Sequence, residues 1–138
     1  MIAYVDSSVL LRVVLGQRNA LREWPTVQRG IASALVQVEC LRTLDRLRIQ
    51  QRIDEEAIAE RREAIYALIE TMEIAALTDT VLSRAAAPFP TVLGTLDALH
   101  LATALLWRDQ TQQDLVMATH DAALALAARA LGLHTVGS

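Results

Sequence analysis

The chain has 138 residues, 53% of them hydrophobic but only 4% aromatic, and its net charge is −3. This length and composition suit one domain, residues 1–138, whose core consists of leucine, alanine, valine and isoleucine. All 13 basic residues are arginines, which excludes mechanisms that need a lysine, among them the phosphate-binding loop of nucleotide-dependent enzymes, so no nucleotide cofactor is expected.

No apolar run reaches the roughly 20 residues of a membrane-spanning helix. The opening apolar run, Met1 to Val5, stops at Asp6 and does not resemble a secretory leader. We therefore predict a soluble, cytoplasmic protein with no membrane partner. The single cysteine, Cys40, cannot form an internal disulfide and is predicted to be a small core residue.

The first five residues predict a buried strand that ends in a carboxylate. Asp6 follows this strand, and a helix over residues 8–15, which carries Arg12, begins almost at once, with Ser7 or Ser8 as its predicted N-cap. An ionised carboxylate at the end of a buried strand is costly unless donors or a cation compensate it. Asp6 is therefore either a helix cap and nothing more or part of a functional site, and this stretch alone favours neither.

The next segment predicts a short helix, a strand and a long helix. Residues 21–29 form a candidate helix that a Trp-Pro pair starts or interrupts, residues 31–33 a strand, and residues 34–49 the long helix.

Three charged side chains of the long helix share one flank. At about 100° per residue, Glu39, Arg42 and Arg46 fall within about 60° of one another, beside the apolar face. They form either a surface salt bridge at i,i+3 spacing or a carboxylate with two guanidiniums at the margin of a cleft.

The middle of the chain predicts two further helices and a strand. Asp54 starts a helix that runs to about residue 71, residues 73–77 form the third strand, and Thr78 caps a helix over residues 79–86. The loop that follows, residues 87–94, is the only one rich in proline and glycine, and loops of this kind often border sites.

A strongly apolar helix comes next and carries two ionisable residues near its start. Thr95 is predicted to cap this helix, which runs to about residue 108, with Asp97 in its first turn and His100 on the same side one turn later. A lone histidine on a buried helix is more often a hydrogen-bonded core residue than a ligand.

The end of the chain repeats the pattern of a strand followed by an acid. Residues 115–118 form the fourth strand, which runs directly into Thr119-His120-Asp121. A helix to residue 132 follows, and residues 134–136 form a short last strand.

Strands that alternate with helices predict an α/β fold of three layers, in which a central parallel sheet of four to five short strands is wrapped by about seven helices. Such sheets place their sites at the carboxyl ends of the strands. Asp6, Asp97 and Asp121 are expected at that edge, and Glu39 is within reach if its helix begins there. Four carboxylates repel one another, and oxygen ligands without histidine or cysteine suit Mg²⁺ or Mn²⁺, which can activate a water for phosphodiester hydrolysis.

Four motifs together resemble the PIN domain family, and more narrowly the VapC-type toxins of bacterial toxin–antitoxin pairs. They are the hydrophobic stretch around Asp6-Ser7-Ser8, Val38-Glu39, Leu96-Asp97-Ala98-Leu99-His100, and Thr119-His120-Asp121. The resemblance covers essentially the whole chain, and the four acids occur in the family's order. It implies a Mg²⁺- or Mn²⁺-dependent endoribonuclease that acts on RNA, is neutralised by a cognate VapB-like antitoxin and forms a homodimer.

The resemblance also implies a role for each acid. Asp6 and Asp97 would be the principal metal ligands, Glu39 would bind a metal or position the attacking water, and Asp121 would complete the quartet. Asp114 is the nearest competitor for the fourth acid, but it precedes its strand and is expected at the opposite edge.

Other residues are expected to support these acids. Thr119 resembles the family's hydroxyl that steadies the acidic cluster, and Ser7, Ser8 and His100 are expected around it. From their positions alone, three arginines are candidate contacts to RNA phosphates or to the antitoxin: Arg12, Arg42 and Arg46.

We interpret the whole pattern as hydrolysis of RNA by a metal-activated water, which leaves a 5′-phosphate on the downstream fragment. The alternative is a catalytically inactive PIN-like module that binds RNA or protein. A phosphohydrolase with an aspartyl nucleophile is disfavoured, because Asp6 is followed by Ser7 rather than a second aspartate nearby and no lysine is present to hold the phosphate.

Overall fold

A five-stranded parallel sheet forms the middle layer of the computed structural model, which describes all 138 residues. The strand order is β3-β2-β1-β4-β5, and every neighbouring pair is parallel. The predicted α/β class and strand number are thereby confirmed. The strands are β1 (Ile2–Val5), β2 (Arg29–Ser33), β3 (Glu73–Ala75), β4 (Val116–Ala118) and β5 (His134–Val136).

Six α-helices and one 3₁₀ turn surround the sheet, close to the predicted number. The helices are α1 (Ser7–Val14), α2 (Val36–Gln51), α3 (Glu55–Glu70), α4 (Asp79–Ala86), α5 (Thr95–Thr111) and α6 (Ala122–Ala130), and the turn is Trp24–Thr26. None of the helices is both long enough and apolar enough to span a membrane.

The helix predicted over residues 21–29 is wrong, because only the single 3₁₀ turn forms there. The end of this segment, residues 28–29, pairs with the sheet instead. The amide of Gln28 donates to the carbonyl of Met1 at 2.9 Å, and Arg29 already belongs to β2. Tertiary pairing therefore ends the segment's local helical geometry after one turn.

The central strand β1 is buried on both faces, as expected of a parallel sheet with helices on either side. Ala3 and Val5 pack into one core cluster with residues of α1, α2 and α3, whereas Tyr4 packs into a second cluster with residues of α5 and α6. This alternation along one strand produces the three layers, because successive side chains of a strand point to opposite faces.

The strands that follow β1 in the chain are added first on one side of it and then on the other. The chain runs from β1 outward through β2 to β3, and then crosses to β4 and β5 on the far side of β1. The strand order therefore reverses between β1 and β4, and the crevice outside their carboxyl ends is where α/β sheets bind ligands. Asp6 follows β1 at this point, and Thr119 follows β4.

The starts of the helices agree only in part with the prediction. Asp54 and Thr78 cap α3 and α4 by accepting hydrogen bonds from backbone amides. Thr95 does not cap α5; the N-cap is Gly94, which has no side chain to do so, and Thr95 is the first helical residue. β3 is also two residues shorter than predicted, because only Glu73–Ala75 pairs with β2.

Candidate active site

Asp6 lies at the carboxyl end of β1 and is almost completely buried, with 5% of its surface exposed. Its Oδ1 accepts hydrogen bonds from Ser8 Oγ at 2.5 Å and from the amide of Val9 at 3.3 Å, and its Oδ2 accepts one from Thr119 Oγ1 at 2.5 Å. These three donors compensate much of the cost of burying a carboxylate.

The predicted capping by Ser7 or Ser8 is wrong, because Asp6 itself is the N-cap of α1. Ser8 instead donates to the capping carboxylate and accepts a hydrogen bond from the amide of His120 at 3.1 Å. Ser7 is the first residue of α1 and lines a cavity beside Glu39. Asp6 thus combines the two roles that the sequence left open, since it closes a helix and faces the crevice at the strand ends.

Two hydroxyls join the end of β1 to the turn after β4. Thr119 is fully buried; its Oγ1 donates to Asp6 and accepts from the amide of Asp121 at 3.0 Å. Ser8 makes the second connection through the amide of His120. The positions of Asp6 and Asp121 are therefore coupled, although 115 residues separate them in the chain (121 minus 6).

Asp121 is exposed and caps α6, accepting a hydrogen bond at Oδ1 from the amide of Leu124 at 2.8 Å. Its capping role resembles that of Asp6, because each acid follows a strand and precedes a helix. Asp121 therefore lies at the same sheet edge as Asp6, where its second carboxylate oxygen is free to bind a ligand.

Glu39 belongs to the first turn of α2 and contacts His100 of α5 across the top of the sheet. His100 Nε2 lies 2.6 Å from Glu39 Oε1, and His100 Nδ1 lies 2.6 Å from the hydroxyl of Tyr4. The imidazole is 2% exposed. Tyr4, His100 and Glu39 thus form a continuous chain of hydrogen bonds, buried at Tyr4 and His100 and partly exposed at Glu39, which we call the Tyr4–His100–Glu39 chain.

The electrostatics of this chain follow from burial and from the neighbouring acids. Burial, together with the charges of Asp6 and Glu39, raises the pKa of Tyr4 far above its ordinary value, so its hydroxyl keeps its proton. Burial acts to lower the pKa of His100, but the hydrogen bond and charge of Glu39 outweigh it and the pKa is raised. The imidazole is therefore held as a partner of the Glu39 carboxylate.

Asp97 lies in the first turn of α5, half-buried, and accepts no side-chain hydrogen bond that would favour its charged form. Its pKa is raised, first by burial and then by the charge of Asp121, with smaller contributions from Asp6 and Glu39. His100 is the only cationic group that opposes this shift. The other three predicted acids therefore all act on Asp97, and no arginine is among the groups that lower its pKa.

The donor set of this acidic centre, defined as Asp6, Glu39, Asp97 and Asp121, fits a hard divalent cation. Its groups are carboxylates, which Mg²⁺ and Mn²⁺ prefer. No three acidic, histidine or cysteine side chains are arranged as a group that could hold an ion on their own. Mg²⁺ needs only one or two carboxylates because it keeps several waters and binds phosphate oxygens. The residues present therefore fit such an ion without a closed protein cage.

The predicted arginines lie on two sides of the acidic centre. Arg42 pairs with Asp45 at 3.8 Å and Arg46 donates to Thr43 at 3.1 Å, so the possible salt bridge with Glu39 does not form. Arg42, Arg46 and Glu39 instead line a cavity of about 300 Å³. This arrangement corresponds to the second interpretation of the flank, in which the charges lie at the margin of a cleft.

Arg12 faces a different cavity, and its Nη1 donates to the carbonyl of Asn19 at 3.2 Å. Arg12 is thereby separated from Arg42 and Arg46, which belong to the cavity at Glu39.

Sequence reasoning did not identify Tyr4 as part of the site. The residue lies within an apolar strand, where an aromatic side chain predicts only core packing. Tyr4 also packs edge-on against the His100 ring, with 5.8 Å between ring centroids. No local pattern marks this contact, because 96 residues separate the two in the chain.

The sequence and the fold of this chain both resemble those of known proteins. The family model described as PIN domain matches residues 3–131. No curated protein matches the sequence. One similar structure is a toxin–antitoxin complex from Klebsiella pneumoniae, with 17% identity and a TM-score of 0.67 over 94% of this chain and 92% of that one.

Two further structures are similar over nearly their full lengths. One is of FitAB bound to an IR36 DNA fragment, with 14% identity and a TM-score of 0.71 over 97% of this chain and 93% of that one. The other is of VapBC-1 from nontypeable Haemophilus influenzae, with 15% identity and a TM-score of 0.62 over 98% and 96%. At these identities the likeness concerns the fold.

Proposed function

The chain belongs to the PIN domain family, and on that premise we propose that it is a metal-dependent endoribonuclease toxin of the VapC type. The observation that carries this proposal is the acidic centre. Burial and the charges of three other carboxylates, Asp121, Asp6 and Glu39, raise the pKa of Asp97, and His100 is the one group that acts to lower it. Oxygen ligands of this kind favour a divalent cation, and such a cation can promote hydrolysis of a phosphodiester.

The proposed ion is Mg²⁺ or Mn²⁺, held principally by Asp6 and Asp97, with Glu39 and Asp121 as further ligands or water-orienting groups. When bound, it would supply an activated water and stabilise the charge that develops on the phosphate. The hydrolysis would leave a 5′-phosphate on the downstream RNA fragment.

The protein's own groups would hold these acids in place. Ser8 and Thr119 donate to Asp6, so its remaining lone pairs are aimed without rearrangement. His100 holds Glu39 Oε1, which leaves Oε2 to accept a hydrogen bond from a water. Pre-organised carboxylates of this kind lower the reorganisation needed when substrate binds.

We propose a cytoplasmic VapB-like antitoxin as the partner and a homodimer as the assembled toxin. The cavity at Glu39 has features of a contact surface, because two exposed apolar residues, Val38 and Leu96, lie with Arg42 and Arg46 on its walls. A segment that covers this cavity would also cover Glu39. The structures similar to this chain include toxin–antitoxin complexes, which supports a partner of this class.

The test is RNA cleavage by the Asp97→Asn variant. We expect wild-type protein to cut RNA in the presence of Mn²⁺ or Mg²⁺ and to stop when EDTA is added, and we expect Asp97→Asn to lose at least about 100-fold in rate because a metal ligand is removed. Asp114→Asn is the matched control, since this exposed acid lies before β4, at the opposite edge.

Cleavage by Asp97→Asn that survives EDTA would refute the mechanism. RNA that binds equally well with and without Mg²⁺, with no product on a gel, would instead support the inactive PIN-like module. Sequencing of RNA ends after brief expression of the wild-type chain, with Asp97→Asn as the reference, would identify the cleavage site.

A further inference from the structure

A second cavity, of about 450 Å³, has His120 in its wall and none of the four acids of the acidic centre. We call it the arginine cavity. Its charged and polar walls come from the end of α1, the loop after it, the turn after β4 and the last residues of the chain. They include Arg12, Arg18, Arg22, Glu23, His120 and Gly137.

The side chains that line the arginine cavity carry more positive than negative charge, although the whole chain has a net charge of −3. Three guanidiniums line it together with one acidic side chain, that of Glu23, and with Ser138, the last residue of the sequence. None of the ion pairs in the protein includes Arg12, Arg18, Arg22 or Glu23. The only hydrogen bond among these guanidiniums goes from Arg12 to a backbone carbonyl. The positive charge is therefore available to an anion.

Two hydrogen bonds link the lining of the arginine cavity to the acidic centre. The amide of His120 donates to Ser8 Oγ, and Ser8 Oγ donates to Asp6. Within the lining, His120 Nδ1 donates to the carbonyl of Gly137 at 2.7 Å. His120 therefore connects the lining of the cavity to Asp6 through Ser8.

The lining at His120 and Gly137 is held tightly by its neighbours. Gly137 has φ +95°, and a Cβ at this position would lie 2.7 Å from the carbonyl oxygen of Thr119. Only glycine tolerates this approach. His120 Nε2 is buried and has no hydrogen-bond partner, which is unusual for a native polar atom. The backbone side of the cavity is therefore fixed in position, and the exposed side chains of Arg18 and Arg22 extend from its other side.

We propose that the arginine cavity binds a phosphate group of the RNA other than the one that is cut. The proposal rests on the proposed function, because it assumes that RNA lies on the acidic centre. Guanidiniums bind phosphate through paired N–H groups. A second phosphate bound in this cavity would align the RNA strand and so determine which phosphodiester bond lies at the acidic centre.

The variant that tests this is Arg18→Gln with Arg22→Gln, which removes two exposed charges and leaves Arg12 with its bond to Asn19. The matched control is Arg52→Gln with Arg129→Gln. These two arginines lie at the carboxyl ends of α2 and α6, away from the cavity, and their removal changes the net charge equally.

Inorganic phosphate is the first probe, followed by NMR. In wild-type protein we expect phosphate to shift the amide signals of Ala20, His120 and Gly137, which lie at the cavity. The shifts should vanish in Arg18→Gln/Arg22→Gln and persist in the control. Signals that do not move in wild-type protein, or that move equally in both variants, would overturn the proposal.

Single-stranded RNA of mixed sequence is the second probe, bound to proteins that also carry Asp97→Asn to prevent cleavage. We expect the cavity variant to bind about tenfold more weakly than the control, with a slope of log Kd against log salt smaller by about 0.7, the value for one lost phosphate contact in a single strand. Equal affinity and slope in the two variants would contradict the proposal.

The source of the phosphate is distinguished by the RNA end. If only 5′-phosphorylated RNA shows the tenfold effect, the cavity binds a terminal phosphate; if 5′-hydroxyl RNA shows it equally, the cavity binds an internal phosphodiester. Failure of the proposed function is distinct from failure of this inference. Phosphate binding without any RNA cleavage would contradict the proposed function. RNA cleavage that the cavity variant does not affect would contradict the proposal for the arginine cavity.

Discussion

Asp6 contributes to the stability of the fold in two ways, because it caps α1 and connects the ends of β1 and β4. Three donors converge on it, from Ser8, Val9 and Thr119. Asp97 is the opposite case, since it is half-buried among like charges and accepts no hydrogen bond. Two acids of one site therefore differ in their effect on stability: hydrogen bonds stabilise the charge on Asp6, whereas burial and like charges disfavour that on Asp97.

We predict that Asp6→Asn lowers the free energy of unfolding by about 1–3 kcal/mol, because the amide nitrogen would meet hydroxyl donors and leave buried groups unpaired. Asp97→Asn should be neutral or slightly stabilising without metal, since it removes a charge that burial and Asp121 disfavour. Urea unfolding in EDTA measures both. A loss from Asp97→Asn as large as that from Asp6→Asn would contradict this difference.

The Tyr4–His100–Glu39 chain gives a second prediction. Tyr4→Phe keeps the ring in the core but removes the partner of His100 Nδ1, so we expect a loss of about 1–3 kcal/mol in unfolding free energy and a lower cleavage rate from a looser Glu39. Tyr66→Phe is the control, because the Tyr66 hydroxyl is exposed and bonds only to Arg62. Equal effects of the two substitutions would show that the buried bond contributes nothing specific.

At the scale of elements, one polar contact joins β2, β3 and α5 at the edge of the sheet. Arg29 Nη2 lies 2.9 Å from Glu73 Oε2, and Trp107 Nε1 donates to Glu73 Oε1 at 3.1 Å. The hydrogen bonds from Trp107 and Arg29 hold the pKa of Glu73 below its ordinary value. β3 is only three residues long, so this contact supports an otherwise short edge strand.

A depressed pKa contributes stability that is present above the unfolded pKa of glutamate and lost as pH falls through the folded pKa. We therefore predict that Glu73→Gln destabilises the protein at pH 7 by less than about 1 kcal/mol, because the side chain is half exposed, and that the difference shrinks toward pH 3. Urea unfolding at the two pH values measures it. A difference that is unchanged at low pH would show that charge is not its cause.

At the scale of the whole molecule, the fold brings the charges of Asp6, Glu39 and Asp121 close enough to Asp97 to raise its pKa. A ligand that binds the folded state alone stabilises it by mass action. The acidic centre should therefore make the stability of the entire domain depend on divalent cations.

We predict that Mn²⁺ at about 100 times its Kd raises the free energy of unfolding by about 2.7 kcal/mol, seen as a rise in Tm in a thermal melt. The rise should be largely absent in Asp97→Asn, which lacks a proposed ligand. NaCl at matched ionic strength is the control for simple screening. An equal rise in the two proteins would show that the ion binds elsewhere.

The alternation of strands and helices was predictable because each element is encoded locally, by periodicity and by residues at its ends. The errors arose where long-range packing overrides local preference. Residues 21–29 do not form the predicted helix, because Gln28 pairs with Met1. The N-cap of α1 was predicted to be Ser7 or Ser8 but is Asp6. Ser8 instead bonds to Asp6 and to the amide of His120, a contact that no local pattern reveals.

The sequence by itself determined the fold class and the positions of Asp6 and Asp121 at the carboxyl ends of strands, because an acid shortly after a buried strand is a local signal. Only the tertiary structure decided what each acid contacts. His100 meets Glu39 across 61 residues and Thr119 meets Asp6 across 113, and it is packing across the sheet, not spacing along the chain, that brings such groups within hydrogen-bonding distance.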